Sequence, residues 1–144
     1  MNKRVRRIRG FSLVELMVVI AIIAILAAIA VPAFGRYAFR ARRADGQEML
    51  LRIANAQERF YATNNHYGSL SDIGYGSTVA SEKGYYVASV NVASGSTSAQ
   101  NFVATATPQN VQATDSCQPL TINDAGVKTP LAISTSSAVN GDCW

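Results

Sequence analysis

The chain has 144 residues, room for one modest domain beside a membrane segment. One His and two Cys, with no Cys-x-x-Cys spacing, give no basis for a metal or redox centre, and no cofactor is expected. The net charge of +4 is carried by the first ten residues; from Ala44 onward four basic residues face eight acidic ones, a balance of −4 that argues against direct nucleic-acid binding.

The chain opens with Lys3, Arg4, Arg6, Arg7 and Arg9, then Gly10, then Phe11-Ser12-Leu13-Val14-Glu15. A charge-free run from Leu16 to Gly35 follows. A spanning helix needs roughly 20 apolar residues, so the run is long enough to cross a bilayer. Glu15 sits at its leading edge, where an ionisable group costs about 2.5–3.5 kcal/mol on insertion scales and calls for a partner. A secretory signal would place its small-residue cleavage site after the apolar stretch. Here Val31-Pro32-Ala33-Phe34 offers no Ala-x-Ala, so the apolar segment is expected to stay with the mature protein. The five leading basic residues favour a cytoplasmic N-terminus, against four arginines, Arg36, Arg40, Arg42 and Arg43, on the far side. Pro32 removes a backbone hydrogen bond from what otherwise reads as continuous helix, so a kink is expected there.

Beyond Gly35 the helical pattern becomes amphipathic. Leu50, Ile53, Ala54, Gln57, Phe60 and Tyr61 form one stripe, with Arg52, Glu58 and Arg59 turned away. A helix from about Ser12 to Thr63 is expected, roughly 75–80 Å long at 1.5 Å per residue. Arg36, Arg40 and Arg43 fall at i, i+4, i+7 and share a face, read either as contact with phospholipid headgroups or as pairing with acidic residues of a neighbouring subunit.

Asn64-Asn65-His66-Tyr67-Gly68-Ser69 ends the helix. Tyr85–Val92 alternates with Tyr86, Ala88, Val90 and Val92 on one face, a Ser/Gly/Thr turn covers 93–100, and Phe102–Thr107 alternates again before Pro108. Leu120-Thr121-Ile122, then Asn123 to Gly126, then Val127-Lys128-Thr129 reads as a hairpin with its left-handed position at Gly126. The expected fold class is α+β, a long N-terminal helix packed on a small antiparallel sheet of about four strands. In an exported head, Cys117 and Cys143 are expected to pair, closing a loop for which chain entropy gives about 3.5 kcal/mol; two separate buried thiols are the other reading.

Arg9-Gly10-Phe11-Ser12-Leu13-Val14-Glu15 and the apolar run resemble the type III signal of type IV pilins and their pseudopilin relatives. Gln57-Glu58-Arg59-Phe60-Tyr61, Asn64-Asn65-His66-Tyr67, the Leu120–Gly126 hairpin and the final Cys143-Trp144 extend the resemblance to the PilE class of minor pilins. It implies that prepilin peptidase cuts between Gly10 and Phe11 and methylates the new Phe11 amine. It also implies a leader over 1–10, a transmembrane and filament-core helix over 11–35, its amphipathic continuation over 36–63 and a β head over 64–144. A D-region over 117–143, a loop contacting neighbours, is implied as well. Many such pilins carry glycine where this chain has Ala24, which bears on whether Ala24–Pro32 melts on assembly.

Glu15 has a physical reason within that frame. Leader removal creates a charged amine on Phe11, and the amine of an adjacent subunit could neutralise Glu15 in an apolar core, fixing one axial offset. Glu15 and Pro32 are therefore the expected assembly residues. The expected partners are prepilin peptidase, major and minor pilin subunits, the inner-membrane pilus assembly machinery and, before assembly, membrane lipid; no small-molecule substrate is expected. The expected location is the inner membrane with the C-terminus periplasmic, then a surface pilus serving adhesion, twitching motility or DNA uptake. The alternatives are a pseudopilin of a type II secretion system and a stand-alone single-pass periplasmic protein.

No catalytic set is expected. His66, Ser69 and Asp72 are sequence neighbours without a Gly-x-Ser-x-Gly elbow, and Asp124 with Gly126 reads as a turn rather than a metal site. Tyr85, Phe102 and Trp144 read as packing residues.

Overall fold

Helix α1 spans Leu13–Asn64, 52 residues, and begins where the Leu16 N–H donates to the Ser12 carbonyl at 3.2 Å. The structure, a computed structural model, describes residues 10–92, 99–130 and 142–144. Pro32 lies on α1, but its side chain, and with it the expected kink, falls outside the described residues. Outside them too are leader residues 1–9, most of the turn expected over 93–100, and 131–141 of the expected D-region.

α1 stops at the Asn-rich stretch for a local reason. Asn65 adopts φ 58°, the left-handed conformation that closes many helices and that Asn tolerates after Gly. Its N–H donates to the Tyr61 carbonyl at 2.8 Å, and Asn64 Nδ2 donates to the Phe60 carbonyl at 2.9 Å. These bonds satisfy carbonyls that the last turn leaves open.

The chain forms two compact units, residues 1–35 and 36–144. In the first, every described side chain is exposed, and α1 there is long and apolar enough to cross a membrane, with a window of mean hydropathy 3.0. The second holds a five-stranded antiparallel sheet whose spatial order follows the chain: β1 (Val79–Ala80), β2 (Tyr86–Val92), β3 (Phe102–Pro108), β4 (Leu120–Asn123) and β5 (Lys128–Thr129). Four of these match the expected strands. β1 adds the fifth, Val79 opposite Ala88 and Ala80 opposite Val87, and two residues are too few for alternation to show. The β4–β5 connection turns as expected at Gly126, φ 70°, where a side chain would be strained.

Alternation builds the core. β3 turns Phe102, Ala104 and Ala106 inward and exposes Val103 and Thr107. These join Tyr86, Ala88, Leu120 and Ile122 in one cluster with Met49, Leu50 and Ile53 of α1. Leu50, Ile53 and Gln57 of the expected stripe are completely buried, while Arg52, Glu58 and Arg59 are exposed. Burying a Leu or Ile this way stabilises by about 1.5–3 kcal/mol. The approach of helix to sheet is close: a Cβ on Gly46 would lie 2.8–3.0 Å from the Tyr86 ring. Gln57 lies within the apolar stripe because it clamps the chain leaving the helix. Its Nε2 donates to the Gly68 carbonyl at 2.6 Å, and its Oε1 accepts the Gly68 N–H at 3.1 Å.

Candidate functional site

Two regions draw together the residues singled out in the sequence. The first is the N-terminal junction. Gly10, Phe11 and Ser12 precede α1 in irregular, exposed chain, with Phe11 83 % accessible. Glu15 stands in the first helical turn, where the helix dipole favours a carboxylate. Among the described residues it forms no ion pair within its own chain. Leu13, Met17, Ile20, Ile25, Ile29 and Phe34 are each more than half exposed, and with their neighbours they place apolar surface all round α1. A helix apolar on every side is a membrane span or a buried core element. Each such side chain has about 1.5–3 kcal/mol to gain from burial. In this region the chain is therefore built to be covered, by lipid or by other helices.

The second region is the C-terminal end of the head. Cys117 and Cys143 form the expected disulfide, with Cα atoms 5.4 Å apart. Beside it Arg43, 1 % exposed, reaches Asp115: Nε to Oδ2 at 2.6 Å and Nη2 to Oδ1 at 2.7 Å. Asp115 is equally buried and also accepts from Gln112 Nε2 at 2.8 Å and from the Cys117 N–H at 3.4 Å. This corrects the expected arginine face. Arg36 and Arg40 are exposed, but Arg43 is committed to a buried bidentate pair inside its own subunit, so it is open neither to headgroups nor to a neighbour. Arg42 is half-buried, its guanidinium 5.3 Å from the centre of the Tyr85 ring. The aromatics take packing roles, Phe102 in the core and Trp144 under the Lys128 ammonium at 5.0 Å.

Sequence reading missed Asp115 and Gln112. Gln112 is fully buried, and its Nε2 also donates to the Tyr86 hydroxyl at 3.0 Å. Burial pushes the Tyr86 phenol up to about 12, with the Gln112 hydrogen bond opposing it. Tyr67 is likewise raised to about 12, by burial first and then by its hydrogen bond to Glu58 at 3.0 Å.

His66, Ser69 and Asp72 do not make a triad. His66 Nδ1 lies 3.1 Å from the carbonyl of adjacent Tyr67. The Asp72 carboxylate accepts from Ser69 Oγ at 2.6 Å and the Ser69 N–H at 2.8 Å, bonds that lower its pKa. The carboxylate thus caps a turn where a triad would have it orient the imidazole. A cleft of roughly 340 Å³ between α1 and β1 is lined by Asp45, Glu48 and Glu82 among others. Its charges are spent: Asp45 accepts the Lys83 and Tyr85 N–H groups, and Arg52 pairs with Glu48 and Glu82. Among the described residues no group of His, Cys, Asp and Glu is placed to hold a metal ion.

Comparison with known proteins joins these two regions. Residues 5–31 match the model described as the prokaryotic N-terminal methylation motif. Residues 32–121, more than half of the chain, match the model described as type IV minor pilin ComP, DNA uptake sequence receptor. The chain belongs to the type IV minor pilin family. A solved type IV pilin from Shewanella oneidensis is similar at 28 % identity and a TM-score of 0.52, over 74 % of this chain and 97 % of that one. No curated protein matches in a sequence comparison. The long helix, antiparallel sheet and C-terminal disulfide of this minor pilin are those of the pilin fold. Its exposed apolar helix suits membrane anchoring before assembly into a surface pilus.

Proposed function

We propose that this minor pilin is cut by prepilin peptidase between Gly10 and Phe11, methylated on Phe11, and inserted from the inner membrane into a type IV pilus. The observation that carries this reading is the junction itself. An exposed Gly10-Phe11 bond precedes a helix with one carboxylate in its first turn and uncovered apolar side chains beyond it. Assembly gains its driving force from covering those side chains. Glu15, paired with the Phe11 amine of an adjacent subunit, sets the axial offset, because a buried charge without a partner is strongly disfavoured. Pro32 marks a second assembly position on the same helix. The chain acts as a substrate and a building block, with no catalytic role of its own. Its C-terminal head faces the periplasm before assembly and the medium afterwards, where the filament serves adhesion, twitching motility or DNA uptake.

The test is Glu15→Ala in cells that make the filament. The variant should be processed and held in the membrane fraction, yet be missing from sheared filaments. Normal incorporation would refute the pairing. The family match weighs against a pseudopilin and against a stand-alone membrane protein, since the matching model is that of a type IV minor pilin.

One observation favours a second reading, direct DNA binding: the matching family is described as a DNA uptake sequence receptor. The balance of −4 from Ala44 onward opposes it, since affinity for duplex DNA comes largely from neutralising phosphates. Titration of duplex DNA against the full chain over a range of salt decides between them. Tight binding that falls steeply with salt would establish the receptor role, and its absence would confine the subunit to filament building.

A further inference from the structure

The ring closed by the disulfide is held by α1 at both ends. At one end Arg43 holds Asp115, whose Oδ1 accepts the Cys117 N–H. At the other, Arg43 Nη1 donates to the Asp142 carbonyl at 3.0 Å, and Gln47 Nε2 donates to the Cys143 carbonyl at 2.9 Å. A single buried guanidinium therefore joins two stretches of chain on either side of the ring. Trp144 follows Cys143 directly and completes the seat: its indole N–H donates to the Thr129 carbonyl at 2.9 Å, and Lys128 lies over its ring. None of these contacts passes through sulfur.

We propose that Arg43 and Gln47 are positioning residues that seat Asp142–Trp144 on the head independently of the disulfide. Asp142–Trp144 then take one position on the head whether or not Cys117 and Cys143 are bonded. Two charge-assisted bonds to Asp115 fix the guanidinium, so its third group meets the Asp142 carbonyl already oriented. Arg43 cannot leave without stranding a buried carboxylate. A disulfide in the chain-entropy account acts mainly by restricting the unfolded chain, so opening it lowers stability while leaving these native contacts in place. Seating through several linked contacts also keeps each one at high effective concentration when another is lost. The packed form of the head thus does not require its cysteines to be oxidised.

Trp144 is the only tryptophan, so its fluorescence reports on the seat directly. The experiment measures iodide quenching of the full chain in detergent micelles, before and after reduction with a water-soluble phosphine. Wild type should show the same quenching in both states. Arg43→Met/Asp115→Asn, which removes the clasp without stranding a charge, should remain protected while the disulfide is closed. On reduction its quenching should rise several-fold. Gln47→Ala, which leaves the buried pair intact, should rise partially on reduction and serves if the double variant does not fold. A large rise on reducing wild type overturns the proposal, because the disulfide alone would then hold the segment. So does protection that persists in both reduced variants.

Discussion

Arg43→Met leaves Asp115 as a buried carboxylate whose main cation is gone. Asp115 is 1 % exposed and would keep the Gln112 amide and the Cys117 N–H among its described donors. Breaking a buried pair from one side costs about 3–5 kcal/mol. The folded unit concerned runs from Arg36 to Trp144, and for a unit of that size about 4 °C of Tm is lost per kcal/mol, so Tm should fall by about 12–20 °C. Arg43→Met/Asp115→Asn removes the charge from both sides and keeps an amide oxygen for Gln112 and Cys117. It should recover most of that loss, to within about 1–2 kcal/mol of the parent, since a neutral replacement of a buried pair is often tolerated. Thermal melts followed by circular dichroism at neutral pH, with the disulfide closed, read both variants. A loss below about 1 kcal/mol in the single variant, the range of a surface ion pair, would refute the reasoning. So would a double variant no more stable than the single one.

Gln57→Leu keeps the volume but strands the N–H and carbonyl of Gly68, so unfolding in urea should show a loss of about 2–6 kcal/mol at roughly 1–3 per stranded group. Gly46→Ala pushes a methyl against the Tyr86 ring and should cost about 1–3 kcal/mol by overpacking, read as a lower urea midpoint at unchanged slope. Alkaline pH should destabilise the head: Tyr86, raised to about 12 in the folded state, stays protonated after its unfolded counterpart has lost its proton near 10. Its contribution is therefore complete below pH 10 and lost between about 10 and 12, an effect of about 2–3 kcal/mol that Tyr86→Phe should remove from the pH profile.

What the sequence made legible follows physical range. The leader, the apolar run and Glu15 are local patterns, and the alternation of β2 and β3 is local too, so each could be read from neighbouring residues. Gln57 was placed within the apolar stripe by its spacing, and its burial follows from a partner only 11 residues away. Arg43 was different. Helical spacing grouped it with Arg36 and Arg40, but spacing says nothing of Asp115, 72 residues further on, which claims it from a loop. The signal for Asp115 was faint, one acidic residue two positions ahead of Cys117. Gln112 gave none, because its burial is decided by the meeting of α1, β2 and a short 3-10 turn (Asn110–Thr114). β1 was missed because two residues carry no period.

The central claim is that this minor pilin is processed at Gly10-Phe11 and built into a surface filament. The most direct measurement is the intact mass of the chain in sheared surface filaments, set against its mass in the inner membrane. The filament species should start at methylated Phe11 and lack two hydrogens for the Cys117–Cys143 bond. Full-length chain in both fractions, or processed chain confined to the envelope, would contradict it.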